Sequence, residues 1–428
     1  MALTEKVFWL DTLPPAEPAE PAALPERVDV AVIGGGFTGL AAARALRKRG
    51  ATVAVLEAHT LGWGASSRNG GMVLTGLKVG TGTLFARYGK ELTRRLFAAS
   101  VASIDCVEQI VAEEGIPCSF ARTGHLDLAC KPAHFQHFAR SAEVLAQEFN
   151  HPVTLVPRAA LGTEIGSGAY HGGLLDEASA GINPAQYVAG LARAAGRARA
   201  LLYEGCRVEE VKREGAAFRV RTTRGTLAAG AVFVATSGYT GPATPRFRRK
   251  LVPIGSYIIA TAPLPDGLAR EVSPRGRMMF DSKNFLYYFR LTPDNRMLFG
   301  GRAGFFPETP GTVRESAEIL RRGMLEVFPQ LRETAVEYAW GGTLDFAFDL
   351  MPHAGQLDGL YYALGYAGHG VALSSYLGTQ MAAAICGEKP DNPFAELPFP
   401  GAPLGLYDGR PWFLPFAEVW YKLLDRMS

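Results

Sequence analysis

The first clear pattern along the chain is a short apolar run of strand length, Val28–Ile33, that leads directly into Gly34-Gly35-Gly36-Phe37-Thr38-Gly39. An alanine-rich segment with helical periodicity follows as far as Arg49, Gly50 ends it, and Val53–Leu56 forms a second strand closing on Glu57. Upstream, Pro14 to Pro25 is a Pro/Ala/Glu connector without apolar periodicity, so the folded body is expected to begin near Arg27. Further on, Arg207–Leu227 reads as short alternating strands around glycines, and Ala231–Gly238 as an apolar strand stopping at a Thr-Ser-Gly turn. Period-two alternation through Phe285–Arg290 puts Leu286, Tyr288 and Arg290 on one face, and Pro293-Asp294-Asn295 after it reads as a hairpin turn. Gly365–Gly370 precedes an apolar stretch of helical length starting near Val371. The tail carries Trp412, Phe413, Phe416, Val419, Trp420, Leu423 and Leu424 at spacings that suggest an amphipathic helix. It is expected to dock on the body or on a partner subunit. Lys422 and Arg426 are the only cations in it, which argues against a membrane-surface anchor.

The strand, glycine turn, helix, strand and acid at the N-terminus form a dinucleotide fingerprint, and each position has a physical task. Gly34 makes the tight turn, Gly36 lets the backbone approach a pyrophosphate, and Gly39 lets the helix lie close on the strand. The helix N-terminus offers free N–H groups to the phosphates, and Glu57 can accept both ribose hydroxyls of an adenosine. A second glycine-rich loop, Leu61 to Gly71, follows the acid directly. That is expected where the chain must run beside a long, permanently bound flavin, and it favours FAD over a mobile nicotinamide.

Composition narrows the class. With 428 residues, 48% hydrophobic and 20% charged, the chain can bury a large core in two to three domains. A formal charge of +3 is too small to argue for nucleic acid, and the densest basic run, Arg246, Arg248, Arg249 and Lys250, reads as a solvated loop. The five cysteines, Cys106, Cys118, Cys130, Cys206 and Cys386, make no C-x-x-C pair, which speaks against a disulfide framework or a metal site and for a cytoplasmic protein. No signal peptide and no apolar membrane span is evident.

Several segments resemble the D-amino-acid-oxidase-like superfamily of FAD oxidoreductases, and within it the γ-glutamylputrescine oxidase branch. They are Gly64-Ala65-Ser66-Ser67-Arg68-Asn69-Gly70-Gly71, Tyr288 to Arg296, Trp340-Gly341-Gly342 with Asp349 to Pro352, and Gly365 to Val371. The resemblance implies an α/β + β architecture: a discontinuous Rossmann-like FAD-binding domain with a β-rich substrate domain. The segments 27–90, 182–245 and 341–390 would build the first, and 91–181 and 246–340 the second, with 1–26 an extension and linker and 391–428 a tail. It implies non-covalent FAD, since the covalent-flavin cysteine of sarcosine oxidases has no counterpart between Thr343 and Pro352. The cofactor would be held by Gly34, Gly36, Phe37, Thr38, Gly39, Glu57, Ala58 and the loop Gly64, Ala65, Ser66, Ser67, Arg68, Asn69, Gly70 and Gly71. Val208, Thr236, Ser237, Gly238, Gly341, Gly368, His369, Gly370 and Val371 would complete its site.

The resemblance puts His369 and Arg68 beside the flavin ring, with the helix from Val371 aiming its positive end at the ring's pyrimidine edge. Tyr257, Tyr287, Tyr288, Trp340 and Phe348 are candidate walls of the substrate pocket, Tyr288 and Trp340 foremost, and Arg290 is a candidate for a distant substrate carboxylate. Two departures from sarcosine oxidases matter: Gly71 and Ala372 stand where those relatives clamp an α-carboxylate. The expected substrate is therefore a small-molecule amine such as a putrescine derivative, oxidised to an imine, with molecular oxygen as acceptor. A third departure is Leu298, which occupies the place of an oxygen-activating lysine. An amine dehydrogenase feeding a quinone or carrier, and a flavin-binding subunit of a larger complex, therefore stay open, as does an oligomeric state.

Overall fold

A computed structural model describes residues 3–15, 23–301 and 311–416. The apolar run at the N-terminus becomes the strand Arg27–Ile33, buried at its last four positions. It pairs in parallel with Val53–Leu56 on one side and with Gly225–Val234 on the other. The full order is His353–Leu357, Leu360–Leu364, Gly225–Val234, Arg27–Ile33, Val53–Leu56 and Leu201–Tyr203, with the antiparallel strands Val208–Glu214 and Ala217–Thr222 laid against Gly225–Val234. Strand alternation divides the buried residues between two cores. Val30 and Val32 pack under the helices Phe37–Lys48, Pro184–Arg197 and Gly370–Ile385, while Ala31 and Ile33 meet Phe218 and Val220 of the antiparallel layer. Gly378 lets the last of these helices lie close on the first: a Cβ there would stand 2.4 Å from the Thr38 carbonyl oxygen.

The second sheet also has eight strands, in the order Val336–Ala347, Leu251–Pro263, Arg296–Gly301, Tyr287–Leu291, Met278–Asp281, His125–Leu128, Gly172–Asp176 and Thr154–Pro157. The hairpin turn expected at Pro293 to Asn295 joins two of these strands, with Asn295 at φ +60°. One face is apolar: Ile259, Met279, Phe289 and Phe299 pack with Leu320 and Met324 of the helix Thr312–Val327. The other face carries Phe280 and Tyr288, which line a cavity.

Three expected boundaries fall elsewhere. The helix Thr81–Glu114 runs through residue 90, and its Leu96, Ile104, Val107 and Ile110 join the nucleotide-side core. The break at 340/341 falls inside the strand Val336–Ala347, which pairs along its length with Leu251–Pro263 and carries the second sheet up to the glycine loop. Residues 3–15 are not a loose extension. Phe8–Thr12 forms a short 3-10 helix whose fully buried Trp9 packs with Ile258, Leu298 and Trp340. Thr4 exchanges backbone hydrogen bonds with Glu337 and Ala339. The connector reads as polar because it is, but the apolar Val7, Phe8 and Trp9 before it are too few to give a period.

The start of the tail docks, with Phe394 and Leu397 in the nucleotide-side core and the Tyr407 hydroxyl donating to the Leu251 carbonyl at 2.9 Å. Trp412 and Phe416 are exposed, at 64% and 72%. Val419, Trp420, Leu423 and Leu424 lie outside the described residues. Among the described residues, no helix is long and apolar enough to cross a membrane and no cluster of side chains is arranged to hold a metal.

Candidate active site

The glycine turn is closed by contacts that tolerate no side chain. Gly34 sits at φ +107°, a conformation L residues rarely adopt, and a Cβ there would stand 2.6 Å from the Ala235 carbonyl oxygen. At Gly39 a Cβ would lie 2.0 Å from the Gly34 carbonyl oxygen, so helix and strand approach as closely as backbones allow. Glu57 is oriented by accepting from the Gly35 N–H at 2.7 Å and the His59 N–H at 2.9 Å. The Ser66 hydroxyl accepts from the Phe37 N–H at 2.9 Å, tying the second glycine loop to the first.

A cavity of about 580 Å³ follows this turn, lined by Gly34, Gly36, Phe37, Thr38, Glu57 and Ala58, then Gly64, Ala65, Ser66 and Asn69. Val208, the loop residue Thr236 and Ser237 line it as well, and Gly368, Gly370 and Val371 at its far end. Asp345, which no motif marks, lines the same cavity and is buried. Its carboxylate accepts from the N–H groups of Gly365 at 2.6 Å and Tyr366 at 3.2 Å, and so fixes the loop that carries His369. Burial raises the Asp345 pKa, against the pull of these donors.

A second cavity of about 480 Å³ adjoins the first and shares Ala65, Asn69, Gly368 and Val371 with it. Its polar wall near the junction carries Arg68, His369 and Tyr288, and Gly70 lines it too. The Arg68 guanidinium is fixed by donating to the carbonyls of Trp63 at 2.9 Å and Gly341 at 3.0 Å, and it lies 4.8 Å from the Trp63 ring centroid. His369 caps the helix Gly370–Ile385. Burial, with the Lys78 charge adding to it, lowers its pKa to about 4, so the ring is neutral at pH 7. The Tyr288 hydroxyl is 3.2 Å from Ser256 Oγ, and burial raises its pKa to about 12.

Other expected site residues stand behind this wall. Trp340 lines neither cavity; it is buried among Trp9, Ile258 and Leu298, and its indole donates to the Arg68 carbonyl at 2.9 Å. It positions Arg68 and does not wall the pocket. Tyr257 and Tyr287 pack on the far face of the sheet, and Phe348 sits in a small cluster with Tyr407. Phe280, Leu286 and Phe346 supply the apolar walls instead. Ser67 and Gly238 are packed away from both cavities, as is Gly71, where a Cβ would meet the Ile182 carbonyl oxygen at 2.2 Å. Arg290 shares a strand face with Tyr288, as alternation requires, yet is not open to substrate. It is buried and donates to the Gly71 carbonyl at 2.8 Å, the Ile182 carbonyl at 3.3 Å and the Leu291 carbonyl at 3.2 Å.

The residues fit FAD. The glycine turn, the oriented Glu57 and the helix N-terminus meet the needs of an adenine dinucleotide. Two buried atoms at the far end, Ser374 Oγ and His369 Nδ1, find no hydrogen-bond partner among the described residues. A cofactor cavity that opens sideways into a separate, largely apolar one is the layout of a flavin oxidoreductase. Residues 29–384 match the family model described as FAD dependent oxidoreductase, and the chain belongs to that family. It is an FAD-dependent oxidoreductase and its cofactor is FAD. It is 32% identical to the "Probable oxidoreductase OrdL" of Rhizobium meliloti, over 98% of this chain and 97% of that one. It is 31% identical to the gamma-glutamylputrescine oxidoreductase of Escherichia coli, over 94% of this chain and 93% of the relative. Among solved structures, glycine oxidase from Geobacillus kaustophilus superposes with a TM-score of 0.74 at 24% identity, covering 88% of this chain and 99% of that one.

Proposed function

We propose that the protein oxidises the C–N bond of a primary or secondary amine, of the γ-glutamylputrescine type, to an imine that water then cleaves to an aldehyde. Molecular oxygen is the acceptor and hydrogen peroxide the second product, and the reaction runs in the cytoplasm on non-covalently held FAD. The observation that carries the reading is the 480 Å³ cavity itself: apolar along Phe280, Leu286 and Phe346, lined also by His369, Arg68 and Tyr288, and joined to the cofactor cavity at Ala65, Asn69, Gly368 and Val371. FAD, when bound, supplies the two-electron acceptor. The protein's task is to deliver an amine with its lone pair free, because an ammonium has none to form the C=N bond. Apolar walls favour the neutral amine by desolvating its charged form. Gly71 and the buried Ala372 offer no clamp for an α-carboxylate, which favours an amine without one over an amino acid. The Escherichia coli relative, named for γ-glutamylputrescine, supports the same substrate class.

Leu298 is fully buried against Trp340 and Ile258, so no lysine serves oxygen from that position. This keeps a second reading in view, an amine dehydrogenase with a quinone or carrier as acceptor. Anaerobic mixing of the holoenzyme with γ-glutamylputrescine and a panel of simple amines tests the reaction by loss of flavin absorbance, and peroxide release in air against dye reduction separates the acceptors. Bleaching by glycine or sarcosine but by no other amine would overturn the substrate class.

A further inference from the structure

Directly paired residues on neighbouring strands send their side chains to the same face of a sheet. Phe280 pairs with Tyr288 on one side and Asp127 on the other, and Asp127 pairs in turn with Leu174. Tyr288, Phe280, Asp127 and Leu174 therefore form one rank across the sheet, and all four line the 480 Å³ cavity. Asp127 is two strands from Tyr288, a separation of about 10 Å at the usual strand spacing.

Two carboxylates line this cavity, Asp127 and Asp176, and they differ in one respect. Asp176 accepts from the Thr75 hydroxyl at 2.6 Å, the Ala178 N–H at 2.9 Å and His151 Nε2 at 2.7 Å. These partners hold it ionised, with a pKa lowered to about 2 against the opposing effect of burial. Asp127 has no such company. Its Oδ1 is buried without a hydrogen-bond partner, and His125 Nε2 is 3.8 Å away, beyond hydrogen-bond reach. His125 brings no charge either, because burial lowers its pKa to about 4 while its Nδ1 is engaged with Ser179 Oγ at 2.8 Å. Lys78 lines the cavity too, and its charge is felt at His369. The Asp127 side chain is 26% exposed.

A carboxylate oxygen buried without a hydrogen-bond donor is costly unless a ligand supplies one. With the reacting amine at the Tyr288 end of the cavity, the geometry points to Asp127 as the counter-ion for a second cationic group on the substrate, an ammonium about two strand spacings, about 10 Å, away. The inference rests on the amine-oxidation reading of this cavity. Burial and the Asp176 charge raise the Asp127 pKa to about 8, so the empty site holds a proton that an incoming ammonium displaces. A γ-glutamyl group carries such an ammonium on its α-carbon.

The test is anaerobic bleaching of the holoenzyme by α,ω-diamines of increasing length and by n-alkylamines matched in carbon count. In the wild-type protein, diamines whose nitrogens span about 10 Å should half-saturate at concentrations about tenfold to a hundredfold below those of their matched monoamines. Asp127→Asn should abolish that preference, so that diamines half-saturate at the concentrations of their matched monoamines. A wild-type protein with no preference, or an Asp127→Asn protein that keeps it, overturns the assignment and leaves amine oxidation standing. Failure of every amine to bleach the flavin overturns both readings. If Asp127→Asn does not retain flavin, the wild-type ligand series decides alone.

Discussion

Arg290 carries a charge into the interior and meets no carboxylate there, only the carbonyl oxygens of Gly71, Ile182 and Leu291. Desolvation lowers its pKa to about 10, which still leaves it protonated at neutral pH. Its work is to hold the glycine loop against the strand that carries Tyr288. Replacing it with methionine strands three acceptors and should cost about 3 kcal/mol of stability. The same change should leave the ratio of KM values for acidic and simple amines unaltered, which steady-state kinetics beside chemical denaturation can check. Gly34, Gly39 and Glu57 were legible because their tasks are set by neighbours close in sequence, and a fixed spacing encodes them. Asp127 and Phe280 were not. They join Tyr288 only through the pairing of strands that begin at residues 125, 278 and 287, and nothing local records which strands become neighbours.

At the scale of elements, the strand–turn–helix–strand unit and the hairpin at Pro293 were readable from period and turn chemistry, whereas the joins between the two sheets were not. The 3-10 helix Phe8–Thr12 is the clearest case. Trp9 is fully buried, its indole donates to the Asn69 carbonyl at 2.9 Å, and Asn69 in turn lines both cavities. The Asn183 side chain donates to Thr12 Oγ1 at 2.8 Å and secures the other end of the helix. Trp9→Ala removes a large buried ring and should destabilise the protein by about 3–5 kcal/mol. Because the cavity left behind lies under the glycine loop, flavin should also be released at a lower temperature than in the wild type. Thermal unfolding followed by flavin fluorescence reads both effects, and a variant that melts early yet keeps its flavin to the same temperature would contradict the coupling.

For the molecule as a whole, the buried neutral histidine His125 of the second sheet contributes to the response to acid. His125 has a folded-state pKa of about 4 against an ordinary value of 6.5, so the unfolded chain binds its proton first. The stability this provides is complete above pH 6.5 and is lost as pH falls through about 4, amounting to about 3 kcal/mol at most. His125→Gln should therefore raise the melting temperature at pH 4 relative to that at pH 7, compared with the same difference in the wild type. The two sheets also constrain the order in which the chain can assemble. Thr4 is bound to the strand that begins at Val336, so the segment ahead of the glycine turn finds its seat only after that distant strand has been made. Until then Trp9 and its apolar neighbours stay open to chaperones, and a nascent chain arrested before that strand has no lid over its glycine loop.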